Sequence, residues 1–291
     1  MASTTTMQEL SIKHKLYPKA LRAVHNPPNN LFVRGTIQDK PLVALVGSRK
    51  PTAYGEAVAY RIAADLARAG VGIVSGLAYG IDATVHRGAL EAGGYTIAVL
   101  GSGLDTIYPR QHAPLAREIV RSGGAVISEY PAGTPPLKHH FPARNRIIAG
   151  ICLATIVIEA EAKSGSLITA KLALEENRVV GAVPGPITST RSNGPHYLLK
   201  EGALVVTSAA DILSELDENL IVPARQIQTT GQLSALERNV IEALSNGPLD
   251  SETLAARTKL EISELLAHLT LLEMNGIVRP VAAAEWALVS S

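Results

Sequence analysis

Seven strand-length apolar runs follow one another along the chain: PLVALVGS (41–48), VGIVSG (71–76), YTIAVLGSG (95–103), AVISEY (125–130), ATIVIEA (154–160), RVVGAVPG (178–185) and ALVVTS (203–208). They are rich in Val and Ile and apolar at successive positions. A half-solvated strand would alternate, so these are buried on both faces. Helix-period segments lie between most of them, at Ala53–Ala69, Ile81–Ala92, His112–Arg121 and Ser166–Asn177. Buried strands alternating with helices predict a mostly parallel sheet covered on both sides, an α/β, Rossmann-like doubly wound domain over residues 41–216. Gly70, Gly93-Gly94 and Gly123-Gly124 fall where the ends of such helices need a left-handed residue.

The pattern changes at both flanks. Residues 1–40 read as an N-terminal lead-in with a short helical stretch and a turn cluster around Pro27-Pro28. Residues 217–232 (DENLIVPARQIQTTGQ) are polar and aperiodic, as a linker is. Residues 233–291 hold three helical segments in quick succession, LSALERNVIEAL, SETLAARTK and ISELLAHLTLLEMNG, then IVRP and EWALVS as two short strands. Three helices and a hairpin predict a small winged-helix-like domain, with Trp286 in its core.

Composition narrows the functional classes. Apolar residues make up 46% of the 291 residues and charged ones 18%, which excludes whole-chain disorder. The single cysteine, Cys152, excludes a disulfide framework and cysteine-built zinc sites. Its apolar surroundings predict a buried, inert thiol. Aromatics at 4% argue against a stacking platform of many rings. No apolar run approaches the roughly 18–20 residues of a membrane span, and MASTTTMQEL lacks a secretory pattern. The expectation is a soluble cytoplasmic protein with no membrane role. The net charge of +1 hides an asymmetry: residues 1–210 carry 22 Lys/Arg and 14 Asp/Glu, and residues 211–291 carry 5 and 12. The front can attract a polyanion and the tail should repel one, although ordinary solvated surfaces would show the same counts.

Candidate chemistry collects at the carboxyl ends of the strands, where open parallel sheets bind ligands. Gly47-Ser48-Arg49 ends the first core strand, Ser75-Gly76-Leu77-Ala78-Tyr79-Gly80 follows the second, and Gly101-Ser102-Gly103 follows the third. Lys163-Ser164-Gly165-Ser166 follows the fifth, and Pro184-Gly185 ends the sixth. Gly and Ser before a helix start present N–H groups to an anion, and Arg49 adds a planar fork suited to phosphate. Each turn alone is a tight βα turn; together they read as a phosphate-binding rim. The densest basic segment is Lys138-His139-His140-Phe141-Pro142-Ala143-Arg144-Asn145-Arg146. Lys138 suits a phosphate and Phe141 a base face; the alternative is a solvated basic loop with Phe141 plugging the core. Catalysis leaves little trace. His139 and His140 are neighbours whose side chains should diverge, so no metal site is expected of them. Asp82 and Glu159 are lone carboxylates that read as helix caps or Arg partners. There is no nucleophile elbow, P-loop or dinucleotide fingerprint.

The strings G-S-R (47–49), S-G-L-A-x-G-I-D (75–82), A-V-L-G-S-G-L-D-x-I-Y-P (98–109) and F-P-A-R-N-R-I-I-A-G (141–150) resemble the DNA-processing protein A family, also called Smf. So do E-A-x-x-x-S-G-S-L-I-T-A (159–170) and A-V-P-G (182–185), and the resemblance runs in order over roughly residues 15–215. It implies a non-enzymatic protein of natural transformation, without cofactor, that binds incoming single-stranded DNA, loads the RecA recombinase onto it and forms a homodimer. Carried over by motif, it implies phosphate contacts from Ser48 and Arg49, backbone N–H groups from Ser75, Gly76 and Gly80 and from Gly165 and Ser166, a backbone grip from Lys138 and a base contact from Phe141. Arg144, Asn145 and Arg146 should shape or line the pocket. The chain departs from the family pattern at Ile151-Cys152, at Gly194–Leu199 and at His112. Some relatives carry a further N-terminal helical domain, expected here to be absent or vestigial.

Two other readings compete. A nucleotide or phosphoribosyl hydrolase on a related scaffold would carry P-G-G-x-G-T-x-x-E, where this chain has Pro184-Gly185-Pro186. A ligand-sensing transcription regulator would need its winged helix to attract duplex DNA. Residues 233–291 carry four basic and eight acidic residues, and Ser263–His268 offers Glu264 but no Arg or Lys. Phosphate attraction dominates DNA affinity, so this module is expected to serve protein contacts or regulation instead.

Overall fold

A computed structural model describes residues 7–216 without a break and then 235–245, 247–258, 260–262, 265–266, 268–269, 272, 277–282 and 285–288. The expected linker, 217–232, lies outside the described residues, as do Ser263 and Glu264. Internal contacts divide the chain into two units, 1–226 and 227–291.

The first unit runs β1 (Gln8–Ser11), α1 (Lys19–Arg22), β2 (Asn30–Gly35), β3 (Leu42–Val46), α2 (Ala53–Arg68), β4 (Gly72–Ser75), α3 (Ile81–Glu91) and β5 (Thr96–Leu100). It continues through α4 (Ala113–Arg121), β6 (Ala125–Ser128), α5 (His140–Ile151), β7 (Ala154–Val157) and α6 (Gly165–Glu175). It ends with β8 (Val179–Ala182), α7 (Asn193–Lys200), β9 (Leu204–Val205) and α8 (Ala209–Glu215). The nine strands form one sheet in the order β1-β2-β6-β5-β4-β3-β7-β8-β9. From β6 to β9 every pairing is parallel. Every residue of β3 and β5 is buried, and successive side chains of β3 enter different cores: Leu42, Ala44 and Val46 face Leu21, Ile147 and Ala170, while Val43 and Leu45 face Ile62, Val85 and Ile212. This is the two-sided burial that uninterrupted apolar runs dictate.

The lead-in reading of residues 1–40 is corrected. Phe32 pairs with Ser128 and Gly35 with Ala125, so β2 continues the sheet antiparallel to β6, and β1 closes that edge with Gln8 opposite Val33. The physical reason is that strands at or next to a sheet edge need few apolar residues. β1 buries only Leu10, and β2 buries Leu31 and Val33 while its other positions stay partly or fully open. A second element absent from the sequence reading is α5. Pro142 sits in its first turn, where a missing N–H costs nothing. The helix is held by Ile147, Ile148 and Ile151 against Leu21 and Val24 rather than by a cap.

Two buried polar groups brace the fold. Glu159 accepts the Thr52 N–H at 2.9 Å and the Thr52 hydroxyl at 2.5 Å, and Thr52 in turn caps α2 by accepting from Gly55 N at 3.1 Å. His86 is fully buried. The Thr96 hydroxyl donates to Ile73 O at 2.8 Å, so it accepts from His86 Nδ1–H at 2.7 Å and leaves Nε2 bare, without a partner among the described residues. Burial pushes this imidazole from its ordinary 6.5 down to about 3, with nearby positive charges adding to the shift. Below the ordinary value the unfolded chain takes up a proton that the fold refuses. Stability should therefore fall as pH drops from 6.5 toward 3, by up to about 1.4 kcal/mol per pH unit from this group. Urea midpoints between pH 7 and 4 should show a shallower fall for His86→Met than for the wild type; equal slopes would assign the proton elsewhere.

The second unit holds α9 (Ala235–Leu244), β10 (Leu249–Asp250), α10 (Ser251–Thr258), β11 (Val278–Ala282) and β12 (Glu285–Leu288). β11 and β12 form the antiparallel hairpin, and β10 joins it with Leu249 opposite Trp286. Its core gathers Val240, Leu244, Leu254, Leu265, Leu269 and Leu272, with Trp286 packed against them at partial burial. No described helix in either unit is long and apolar enough to cross a membrane.

Candidate functional site

Strands β4, β5 and β6 lie to one side of β3, and β7, β8 and β9 to the other. The chain reverses direction of growth at β3/β7, and the loops there diverge to leave a crevice beyond the strand ends. A cleft of about 640 Å³ occupies it. Its sides come from five separate places: Gly47 and Arg49 after β3, Ala78 and Asp82 after β4, Tyr108 after β5, the segment from Pro136 into α5, and Ser164–Ser166 at the start of α6.

Arg49 and Lys138 are exposed at this cleft, and Phe141 lines it at partial burial. The Arg49 guanidinium lies 5.6 Å above the Phe141 ring, a cation–π contact that presents the fork at the mouth. Asn145 donates to Gly165 O at 3.2 Å and ties α5 to the first turn of α6. That end of α6 is capped by Ser164, whose hydroxyl accepts from Ser166 N at 3.3 Å, and its positive dipole end opens on the cleft. Arg144 is 4% exposed and forms the floor. It donates to Val99 O, while its Nε has no partner among the described residues. Burial lowers its pKa to about 10, an effect the nearby Asp82 carboxylate opposes. Burial in turn raises the Asp82 carboxyl against the pull of Arg144 and of the N–H groups it accepts.

The sequence candidates therefore separate. Arg49, Lys138, Phe141, Arg144, Asn145, Gly165 and Ser166 meet around one cleft, and Gly76 lines a shallow notch that opens beside it. Four candidates do different work. The Ser75 hydroxyl donates to Leu45 O at 2.7 Å and is buried. Ser48 holds its own turn by accepting from Lys50 N at 3.1 Å. Gly80, at φ 72, packs on Ser48 O and starts α3, a spot with no room for a side chain. Arg146 forms an ion pair with Glu129, both largely covered, and does not line the cleft. Within the Ser75–Gly80 loop, expected to offer its N–H groups to phosphate, two are already taken: Asp82 accepts from Gly76 N at 3.0 Å and Ala78 N at 3.3 Å. A carboxylate six residues on from Gly76 satisfies these two groups internally. Of the two roles expected of Asp82, its side chain does not cap α3, and the nearby Arg144 charge fits the other, an Arg partner.

The histidines bear on the same loops. His112 Nδ1 donates to Leu77 O at 2.8 Å, which pins Leu77 in its left-handed conformation at φ 57. The rings of His139 and His140 meet edge to face with centroids 4.5 Å apart instead of diverging. His140 Nδ1 is engaged by Gly101 O at 3.2 Å and its ring stacks on Tyr130, and no cluster of three metal-ligating side chains occurs among the described residues. Sequence reasoning missed Tyr108 and Ile168 as lining residues. Both stood inside quoted motifs, but neither carries a charge to mark it.

Fold and site together define a class: a Rossmann-like binding domain with a basic, ring-bearing cleft at its topological switch point, joined in sequence to a small helix-and-hairpin module. Residues 8–217 match the sequence model for DNA recombination-mediator protein A, and residues 223–283 match that for the DprA winged helix domain. The chain belongs to the DNA recombination-mediator protein A (DprA/Smf) family, as the motif strings indicated. It is 40% identical over 279 residues to Protein Smf of Escherichia coli (strain K12), covering 92% of this chain and 74% of that protein. It is 46% identical over 209 residues to the DNA processing protein DprA of Streptococcus pneumoniae, covering 71% and 73%. The X-ray structure of DprA from Streptococcus pneumoniae superposes with a TM-score of 0.68 at 44% identity, over 73% of this chain and 75% of that one. A structure describing the single-stranded DNA binding mode of DprA from Helicobacter pylori superposes at 0.65 with 30% identity, over 74% and 97%.

Proposed function

We propose that the cleft binds single-stranded DNA without sequence preference and that the protein passes the strand to the RecA recombinase during natural transformation, doing no chemistry on it. The observation that carries this reading is the pairing of two exposed cations, Arg49 and Lys138, with the Phe141 ring at one cleft. Phosphates and unstacked bases are the two features a single strand displays together. The Helicobacter pylori relative, whose structure concerns single-stranded DNA binding, supports the assignment. The only carboxylate lining the cleft among the described residues, Asp82, is committed to Gly76 and Ala78, which favours a binding site over a hydrolase. A homodimer would set two clefts on one strand and raise avidity through effective concentration. The winged-helix module, net acidic, serves protein contacts rather than duplex reading.

The test is fluorescence anisotropy of the full chain with labelled single- and double-stranded oligonucleotides across a salt series. Single-strand preference with a steep salt slope is expected. Absence of binding at low salt, with the protein folded, would overturn the reading and return attention to nucleotide hydrolysis.

A further inference from the structure

Aromatic residues are 4% of the chain, yet three rings converge at this edge of the sheet. Phe141 begins α5, Tyr108 follows β5 and Tyr79 follows β4; with Arg49 they line the notch beside the cleft. Strand order places the loops after β4 and β5 on one side of the cleft and the α6 N-terminus after β7 on the other. Rings thus occupy one flank and an anion-favouring helix end the opposite one.

The rings are not equally available. Phe141 is covered on one face by Arg49 and meets Tyr108 at 5.6 Å with the planes tilted by 49°. Tyr108 and Tyr79 are 45% and 41% exposed. Tyr79 rests edge-on against His112 at 5.3 Å, so each tyrosine is held from one side and open on another. Their hydroxyls explain nothing about their placement. Tyr17, Tyr54, Tyr60 and Tyr95 each tie their hydroxyl to another residue, whereas those of Tyr79 and Tyr108 make no hydrogen bond among the described residues. What these two residues present is ring surface, fixed in place and facing solvent beside a cationic cleft.

We propose that Tyr79 and Tyr108 form a base-stacking step that extends the cleft toward β5, taking the faces of nucleobases whose phosphates are held at Arg49 and Lys138. The proposal rests on the single-strand reading of the cleft. Every base has a π-face, so the step is tolerant of sequence, and a duplex, whose bases are already stacked, cannot use it. It is a second recognition element, independent of charge.

The full chain is titrated with an oligo-dT and with an abasic strand of equal length and phosphate count. The wild type should prefer oligo-dT. Tyr79→Leu combined with Tyr108→Leu should bind oligo-dT at least about ten-fold more weakly, bind the abasic strand as before, and keep the wild-type salt slope. Tyr79→Phe with Tyr108→Phe should match the wild type, because the ring and not the hydroxyl acts. Undiminished oligo-dT binding by the leucine pair, an equal loss on both strands, or a wild type indifferent to the bases would each overturn the step while leaving the phosphate site standing. A wild type that binds neither strand would overturn the cleft reading and this step with it.

Discussion

Arg144→Ala is expected to destabilise the α/β unit by about 3 kcal/mol or more, the cost of breaking into a buried charged arrangement, and to lower Tm by about 6–12 °C. Three effects point the same way. Val99 O is left without its donor at the end of β5. The floor of the cleft is stripped of a long side chain that is 4% exposed, and a void opens there. Asp82, buried in the first turn of α3, is deprived of the cation that opposes its upward pKa shift. Uptake of a proton by Asp82 limits the damage, so the destabilisation should be larger at pH 8 than at pH 5. Gly76→Ala attacks the same group from the opposite side, because a Cβ there would occupy the space of the Arg144 guanidinium. It should destabilise in the same direction while leaving the charge in place. Circular-dichroism melts of both variants decide the matter. An Arg144→Ala melt within a degree or two of the wild type would mean that the guanidinium is held there for a ligand alone and lends the fold no stability.

The parallel core was legible because its signal is local. A strand covered on both faces must be apolar at every position, and the glycines after α2, α3 and α4 adopt the positive φ that their helix ends require, at 85°, 69° and 86°. What escaped the sequence reading depends on distant partners. β1 is a strand only because β2 hydrogen-bonds to it, and β2 only because β6 lies alongside. α5 buries Arg144 on a face where periodicity calls for an apolar residue. The candidate site divides on the same line. Charge and type marked Arg49, Lys138 and Phe141. They did not separate Arg144 from Arg146, two residues apart on one helix, of which one enters the cleft floor and the other turns to Glu129. Nor did glycine content reveal that Asp82 would claim the N–H groups of the loop before it.

Arg49→Ala combined with Lys138→Ala should reduce the dependence of log K on log salt by about 1.4, roughly 0.7 for each single-strand phosphate that the variant no longer neutralises. The same figure sets the size of the binding defect. One neutralised phosphate is worth about five-fold in affinity for each ten-fold dilution of salt below 1 M, so the pair should cost about 25-fold at 0.1 M and several hundred-fold at 0.01 M. Both side chains are exposed, so the fold should keep its melting temperature, which separates this defect from that of Arg144. The weakening should be uniform across oligonucleotide sequences, since phosphates carry no sequence. Arg49→Lys divides the two roles of that residue. The ammonium restores the charge and most of the salt slope, but it cannot reproduce the planar guanidinium 5.6 Å above Phe141. Affinity should therefore return only in part. Full recovery by Arg49→Lys would show that stacking on Phe141 adds nothing to the grip, and an unchanged slope in the double alanine variant would place the phosphate path away from this cleft.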